Sequence, residues 1–305
     1  MRRIAVLSHI VLDEVHPSDV ESVPHVEVGG AGAYAAVGSS LAGAAGATVL
    51  VSGVGTADRQ TLAAWCTARQ IDPAGLFDVS EFSPRTVIDY FPDGERVETP
   101  AFGLEHFDAH TPLPRHIPFP PDAIGGVYLF HDHEPDYWSE VDAARSRFAA
   151  PYLWEISADS CRPAALPAVR ERLELVDVLS LNRTEALGLF GAGRLDEALA
   201  ELARLPVVTV LRLGAAGSLV IDGGDLTAVG VAAGDVVDPT GGGNSYSGAF
   251  LADFAATGDP VAAARIAAAA AATVIAQTGA PLVDDDARAH VRAAALSIPT
   301  ERRPR

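Results

Sequence analysis

Short apolar runs rich in β-branched residues alternate along the chain with longer stretches rich in alanine and leucine. The apolar runs are Ile4–Leu7, Thr48–Val51, Val127–Phe130, Tyr152–Ile156, Val178–Leu181, Val207–Leu211 and Ser218–Ile221. This alternation predicts an α/β fold in which helices cover both faces of a mainly parallel sheet. No internal repeat is visible, and the 305 residues fit a single domain over residues 1–305.

Two stretches, approximately residues 11–28 and 84–104, interrupt the alternation. The second contains RTVIDYFPDGERVET, which reads as two strands around a turn at Pro92–Gly94. Together the stretches predict a small antiparallel β flap, or lid, inserted into the core. Thr111–Pro121, with five prolines, is expected to be a rigid loop that closes this excursion. Because an exposed flap has unpaired edges, a homodimer through the lid is also predicted.

The charge of the chain narrows the classes of partner. A net charge of −18 argues against nucleic acid and against an anionic membrane surface, since both require a basic face, and favours a small molecule. The sequence contains no lysine, which excludes a lysine-containing phosphate loop and a Schiff-base lysine. Any bound phosphate must therefore be held by backbone amides, arginine or a metal ion.

Three further features predict the cellular location of the protein. Cys66 and Cys161 lack metal-ligand spacing, so a reducing, cytoplasmic location is expected. The opening MRRIAVLSHIVLDEV is interrupted by His9 and Asp13 and is expected to be a buried strand and not a signal peptide. The alanine-rich run Val261–Gln277 is weakly apolar and contains an arginine, which predicts a packed helix and not a membrane span.

Three consecutive glycines precede a helix in DPTGGGNSYSGAF, at Asp238–Phe250. Residues without Cβ let a ligand approach the backbone, and a helix N-terminus directs N–H groups and the positive end of its dipole toward the same place. The motif therefore predicts an anion-binding hole suited to a transferring phosphoryl group. A glycine-rich connection without a ligand is the structural alternative.

Six short motifs, taken in order, resemble those of the ribokinase-like (PfkB) carbohydrate kinases. They are GGAGAYAAVGSSLAG at Gly29–Gly43, VSGVGTAD at Val51–Asp58, LNRTE at Leu181–Glu185, LRLGAAGSLV at Leu211–Val220, DPTGGGN from Asp238, and AQTGAP at Ala276–Pro281. The resemblance covers nearly the whole chain. It implies a ribokinase-like fold and an ATP-dependent kinase that acts on a small polar, sugar-like acceptor.

The resemblance also implies roles for individual residues. The acceptor is expected to meet Asp13, Gly29, Gly30 and Tyr34, and the anion hole is expected to comprise Gly241, Gly242 and Gly243. The nucleotide is expected to meet Asn182, Glu185, Arg212, Gly214, Gly217, Gln277 and Gly279. Glu185 and Asn182 would organise Mg²⁺ through water, and Asp238 and Thr240 a monovalent cation such as K⁺. Without the resemblance, Asp13 is also a plausible strand-end turn residue, and Asn182 and Glu185 a plausible helix cap.

Two positions depart from the family pattern. Tyr34 stands where the family usually has asparagine, and Asn244 stands where the family has the aspartate that removes the acceptor's proton. An amide cannot act as that base, whose loss typically costs ~10²–10⁴-fold in rate. We therefore expect either a divergent kinase for an anionic or non-standard acceptor, or a catalytically impaired nucleotide- or sugar-binding sensor. The exchange is interpreted as natural, and an engineered aspartate-to-asparagine substitution is the alternative.

A second polar cluster, FHDHEPDYW at Phe130–Trp138, follows a predicted strand. His131 and His133 could bind a transition metal, contact the substrate, replace the missing base, or lie in a solvated loop. Glu155 ends the next strand and is expected to line the same cleft.

Overall fold

The structure is a computed structural model that describes residues 2–16, 23–91 and 96–303. The strands β1 to β15 are Arg3–Leu7, Val11–His16, His25–Gly29, Thr48–Gly55, Ile71–Asp72, Leu76–Ser80, Arg85–Tyr90, Arg96–Pro100, Ile124–His131, Tyr152–Ile156, Val178–Asn182, Val208–Arg212, Ser218–Asp222, Asp225–Val229 and Thr300–Arg303. The helices α1 to α10 are Ala31–Ala42, Arg59–Thr67, Leu104–Ala109, Pro135–Arg145, Leu166–Arg172, Arg183–Phe190, Leu195–Leu202, Gly242–Thr257, Pro260–Ile275 and Asp285–Ser297.

The central sheet confirms the predicted α/β class. Its strand order is β15-β14-β13-β12-β11-β10-β9-β1-β4-β5, and β6 also pairs with β4. In this order, neighbouring strands from β12 to β5 are parallel. The neighbouring strands from β12 to β15 are antiparallel. All seven predicted strands are present. The sequence pattern did not predict β5, β6, β14 and β15, because each of them is short or lacks a continuous apolar run.

The lid is a separate four-stranded sheet in the order β3-β2-β7-β8. Its outer pairs are antiparallel, and its central pair, β2 with β7, is parallel. The predicted turn at Pro92–Gly94 lies outside the described residues, as do residues 17–22 of the first lid segment. The proline-rich Thr111–Pro121 loop contains a 3₁₀ turn at Pro114–His116.

Two apolar cores lie on opposite faces of the central sheet. Residues alternate along β1, so that Ile4 and Val6 join one core and Ala5 and Leu7 the other. The first core packs α1, α2 and α8 to α10 against the sheet, and the second packs α4 to α7. The alternating burial explains why apolar residues are nearly continuous in the parallel strands.

Helices α1 and α8 pack so closely that backbone meets backbone. A Cβ added at Gly248 would lie 1.9 Å from the carbonyl oxygen of Ala35, and one added at Gly38 would lie 1.9 Å from that of Ser245. The small-residue runs that follow both glycine motifs therefore serve this contact between α1 and α8. None of the helices within the described part of the chain is long and apolar enough to cross a membrane.

Candidate active site

A cavity of about 550 Å³ lies between the lid and the carboxyl end of the central sheet. The residues that line it come from distant parts of the sequence: Ser8, His9, Val11, Asp13, Val15, Glu27, Val28, Gly30, Ala31, Tyr34, Thr86, Ile88, Glu98, Phe107, Phe130, Asp238, Pro239, Thr240, Gly241 and Asn244. The structure thus brings together the expected acceptor residues Asp13, Gly30 and Tyr34 with Gly241 and Asn244 of the expected catalytic motif.

Gly29 and Gly30 shape the acceptor side of this cavity. Gly29 lies against Asp13, because a Cβ at Gly29 would lie 1.9 Å from the Asp13 Oδ2 atom. Gly30 has a φ of 90°, and a Cβ there would lie 2.7 Å from the carbonyl oxygen of His9. Both glycines are required by close neighbours, and only Gly30 lines the cavity itself.

Each glycine of the GGG run also has a close neighbour within the protein. Gly241 has a φ of 73°, and an added Cβ would lie 2.1 Å from the ring of Tyr34. At Gly243 an added Cβ would lie 2.3 Å from the Nη1 atom of Arg212, and at Gly242 it would lie 2.8 Å from Ile275. Packing therefore accounts for the bare backbone before any ligand is considered. No described side chain caps α8, and the Gly242 N–H donates to the Pro239 carbonyl oxygen at 3.2 Å, so the backbone N–H groups of Gly243 and Asn244 are the ones that face an anion at this helix start.

Asn244 lies at the edge of a buried polar network. Its Nδ2 atom donates to the Oε1 atom of Glu155 at 3.1 Å, and Arg212 Nη1 donates to the same oxygen at 2.7 Å. The hydroxyl of Tyr128 donates to Oε2 of Glu155 at 2.8 Å. Glu155 is only 3% exposed and does not line the cavity, although the sequence predicted that it would. Asn244, to which it is hydrogen-bonded, lines the cavity instead.

Arg212 occupies the centre of this network. Its Nη2 atom lies 3.6 Å from Oε2 of Glu185, and its Nη1 atom lies 2.7 Å from Oε1 of Glu155. Burial acts to lower the pKa of Arg212, but the two glutamates raise it above its ordinary value. Burial also raises the pKa of Glu185, with Arg212 acting in the opposite direction. The first turn of α8 is therefore flanked, at Gly243, by a permanently charged guanidinium.

Asn182 and Glu185 form a capping box at the start of α6. Glu185 Oε2 accepts from the Asn182 backbone N–H at 2.6 Å, and Asn182 Oδ1 accepts from the Glu185 N–H at 2.9 Å. The helix-cap alternative is thus realised. The Oδ1 atom of Asp238 accepts from the Thr240 backbone N–H at 2.9 Å. Within the described residues, no group of three or more histidine, cysteine or acidic side chains is placed to hold a metal ion.

The remaining residues expected to meet the nucleotide lie on turns, where Gly214 is exposed and Gly217 and Gly279 are half-buried. Gly214 and Gly217 both have positive φ, and a Cβ at Gly217 would lie 2.2 Å from the carbonyl oxygen of Val229. Gln277 is exposed. Gly279, with a φ of 69°, approaches the lid, because a Cβ there would lie 3.4 Å from the Glu27 Oε2 atom.

The histidine loop after β9 is held by structural contacts. The ring of His131 stacks on Tyr137 with centroids 3.8 Å apart, and the indole of Trp154 donates to its carbonyl oxygen at 2.8 Å. His133 Nδ1 instead lies 2.9 Å from Ser160 Oγ. The two histidines have separate partners, and neither lines the cavity, which is reached by Phe130 instead.

The charge of the cavity could not be read from the motifs alone. Four carboxylates line it, from Asp13, Glu27, Glu98 and Asp238, and none of the described lining residues is an arginine. Burial lowers the pKa of His9 to about 4, so this histidine is neutral at pH 7. The lining therefore disfavours the anionic acceptor that Asn244 had suggested.

Sequence reasoning missed His9, Glu27, Glu98 and Phe107 as cavity residues. Strand alternation held a signal for one of them, since Glu27 pairs with Asp13 across the lid and lies two residues from Gly29. The same alternation places Val11 and Val15 beside Asp13. His9 and Phe107 contact each other through a 3.0 Å hydrogen bond from the His9 Nε2–H to the Phe107 carbonyl, a pairing across the chain that no local pattern indicates.

Comparisons with known proteins agree with this fold. Residues 136–286 match the pfkB family carbohydrate kinases. The chain is similar to the nucleoside kinase of Methanocaldococcus jannaschii, an archaeal member of the ribokinase family (21% identity, TM-score 0.71, covering 96% of this chain and 99% of that one). It is also similar to the adenosine kinase of Sinorhizobium meliloti (19% identity, TM-score 0.74, covering 97% of this chain and 98% of that one). A third similar structure is Arabidopsis thaliana ribokinase complexed with ribose and ATP (20% identity, TM-score 0.72, covering 97% of this chain and 99% of that one). None of the curated proteins matches the chain significantly.

Proposed function

We propose that this chain, a ribokinase-like (PfkB) protein by its family match and its fold, is an ATP-dependent phosphotransferase for a small polar acceptor. The observation that carries the proposal is the cavity that is lined both by Asp13, on lid strand β2, and by Asn244, at the N-terminus of α8. A carboxylate suited to hydroxyl groups thus shares a cavity with a helix terminus suited to an anion. Phosphoryl transfer from a nucleotide to an alcohol needs both a group that binds the alcohol and donors that stabilise the phosphoryl charge.

The chain's own groups account for the handling of the phosphoryl group. The backbone N–H groups of Gly243 and Asn244 and the guanidinium of Arg212 would stabilise the charge on the transferring group, because preorganised donors supply most of this catalysis. Mg²⁺, which would be held through water by Glu185 and Asn182, would neutralise charge on the nucleotide. Asp238 and Thr240 would receive a monovalent cation.

We infer that the acceptor is neutral or carries an amine. Four carboxylates line the cavity, so an anionic acceptor would be repelled, whereas hydroxyl and ammonium groups can donate hydrogen bonds to them. Tyr34, Phe107 and Phe130 supply the apolar and aromatic faces against which a ring or a cation packs.

An assay of ADP formation over matched acceptors tests both inferences. Neutral polyols and sugars, their amino derivatives and their acid derivatives would be compared at equal concentration, with ATP and Mg²⁺. We expect kcat/KM for the acid derivative to be at least ~10-fold below that of the neutral compound, since ~1.4 kcal/mol of repulsion suffices for this. Glu98→Gln removes one lining carboxylate and should therefore bring the kcat/KM of the acid derivative closer to that of the neutral compound.

Equal turnover of acidic and neutral compounds would contradict the inferred acceptor class. The second candidate function is a nucleotide- or sugar-binding sensor, which the amide at Asn244 favours because an amide takes no proton. ATP binding without ADP formation on any acceptor would select this sensor over the kinase.

Nucleotide binding should depend on Mg²⁺ through Glu185. Calorimetric titration of ATP in EDTA should give a Kd at least ~10-fold weaker than in Mg²⁺, and Glu185→Gln should reproduce most of that loss. Glutamine still completes a capping box, so this variant keeps α6 intact while removing the charge. An ATP affinity unchanged by EDTA would rule out the magnesium assignment.

The lid also offers a surface for a second copy of the chain. β3 and β8 are its end strands, and on them Val26 is 53% exposed and Val97 49% exposed. We propose a homodimer in which the two lids cover these strands. Light scattering should give about twice the 31.7 kDa chain mass, and a monomeric mass at all concentrations would contradict it.

A further inference from the structure

Both oxygens of the buried Glu155 carboxylate accept hydrogen bonds from neighbouring side chains. Oε2 accepts from the Tyr128 hydroxyl, and Oε1 accepts from both Arg212 Nη1 and Asn244 Nδ2. Glu155 is 3% exposed and Arg212 11% exposed, so solvent does little to loosen these contacts. Removing one partner would leave a charged oxygen with an unmet hydrogen bond.

This arrangement decides which way the Asn244 amide points. Glu155 forms an ion pair with the guanidinium of Arg212 at 2.7 Å, and the carboxylate of an ion pair only accepts hydrogen bonds. The Asn244 atom that meets it must therefore be the donating Nδ2. The other amide atom, the accepting Oδ1, is then the one left for the cavity that Asn244 lines.

We infer that Glu155 is a positioning residue for Asn244. It holds the Asn244 amide so that the cavity receives an uncharged hydrogen-bond acceptor, while the negative charge of the site stays behind the amide in the pair with Arg212. The ligand group that fits Oδ1 is a hydroxyl, which donates its hydrogen. Only this last step, the hydroxyl of an acceptor, rests on the proposed function.

The inference implies that an aspartate at position 244 is incompatible with Glu155. Its carboxylate would replace an N–H···O contact of 3.1 Å by two negative oxygens at about the same separation. Arg212 offsets part of this repulsion, and the other ionisable groups facing Glu155 are Tyr128 and, more distantly, Glu185. One of the two carboxyl groups would then keep its proton to a higher pH in the folded state than in the unfolded state.

A double-mutant cycle of unfolding tests the contact without any activity assay. Urea unfolding of the native chain, Asn244→Asp, Glu155→Gln and the double variant would be measured from pH 5 to pH 8. At pH 8 we expect Asn244→Asp to lower the folding equilibrium constant ~10–100-fold with Glu155 present, and less than ~3-fold in the Glu155→Gln background. The loss should shrink as the pH falls, because a proton is then bound more tightly in the folded state than in the unfolded state.

Gln60→Glu is the matched control, since it adds the same charge at an exposed position of α2. It should change the folding equilibrium less than ~2-fold at every pH. Equal losses for Asn244→Asp in the two backgrounds, without pH dependence, would overturn the inference. Because unfolding is measured, this result is distinct from a failure of the kinase proposal, which only the acceptor assay detects.

Discussion

Replacing Gly248 by alanine should lower the free energy of unfolding by about 3 kcal/mol or more, beyond the usual cost of an added methyl group in a core. The new Cβ would lie 1.9 Å from the carbonyl oxygen of Ala35, which belongs to the backbone of α1 and cannot rotate away. Relief requires α1 and α8 to separate. Because Tyr34 and Asn244 lie on these helices, we expect ligand binding to weaken as well.

The reciprocal variant and a control make the result interpretable. Gly38→Ala should be as damaging, since its Cβ would lie 1.9 Å from the Ser245 carbonyl oxygen. Gly193→Ala should change stability by no more than about 0.5 kcal/mol, because its new methyl group meets nothing nearer than the Glu197 Oε2 atom at 4.0 Å. Chemical unfolding of the three variants provides the measurement. A loss below about 1 kcal/mol at both helix positions would mean that the helices do not approach so closely.

Replacing Arg212 by methionine should cost about 3–5 kcal/mol of stability near neutral pH, the usual effect of removing one partner from a buried ion pair. Glu155, at 3% exposure, would be left as a buried charge with only Tyr128 and Asn244 as donors. Methionine fills most of the arginine's apolar volume, so the loss reports the charge. We expect ATP affinity to fall too, because Gly243 places Arg212 beside the first turn of α8.

The pH dependence separates this effect from a packing defect. Without Arg212, the folded protein holds a proton on a buried carboxyl group more tightly than the unfolded chain does, so the extra loss should lessen as the pH falls toward about 4. Arg194→Met is the control, because Arg194 and Asp196 form an ion pair that is 74% and 65% exposed and worth at most about 1 kcal/mol. A loss for Arg212→Met as small as for Arg194→Met would show that the buried pair is not formed.

Local patterns were sufficient for the fold class and for seven strands of the central sheet. Parallel strands buried on both faces require nearly continuous apolar runs, and each of the seven such runs forms a strand of the central sheet. Asp13, Tyr34 and Asn244, which come from three distant parts of the sequence, line one cavity. Ligand-binding residues of parallel sheets follow strand ends, and a strand end is visible in the sequence.

The partners of these residues depended on the tertiary structure. Glu155 meets Asn244 across 89 residues of sequence, and Gly38 meets Ser245 through backbone atoms whose position no side-chain pattern records. The glycine run also depends on distant neighbours. A glycine is needed at position 241 because φ is positive and the Tyr34 ring lies close, and at position 243 because Arg212 lies close. Periodicity reports which face of an element is buried, but the atoms buried against it are chosen by the packing of elements that are distant in the chain.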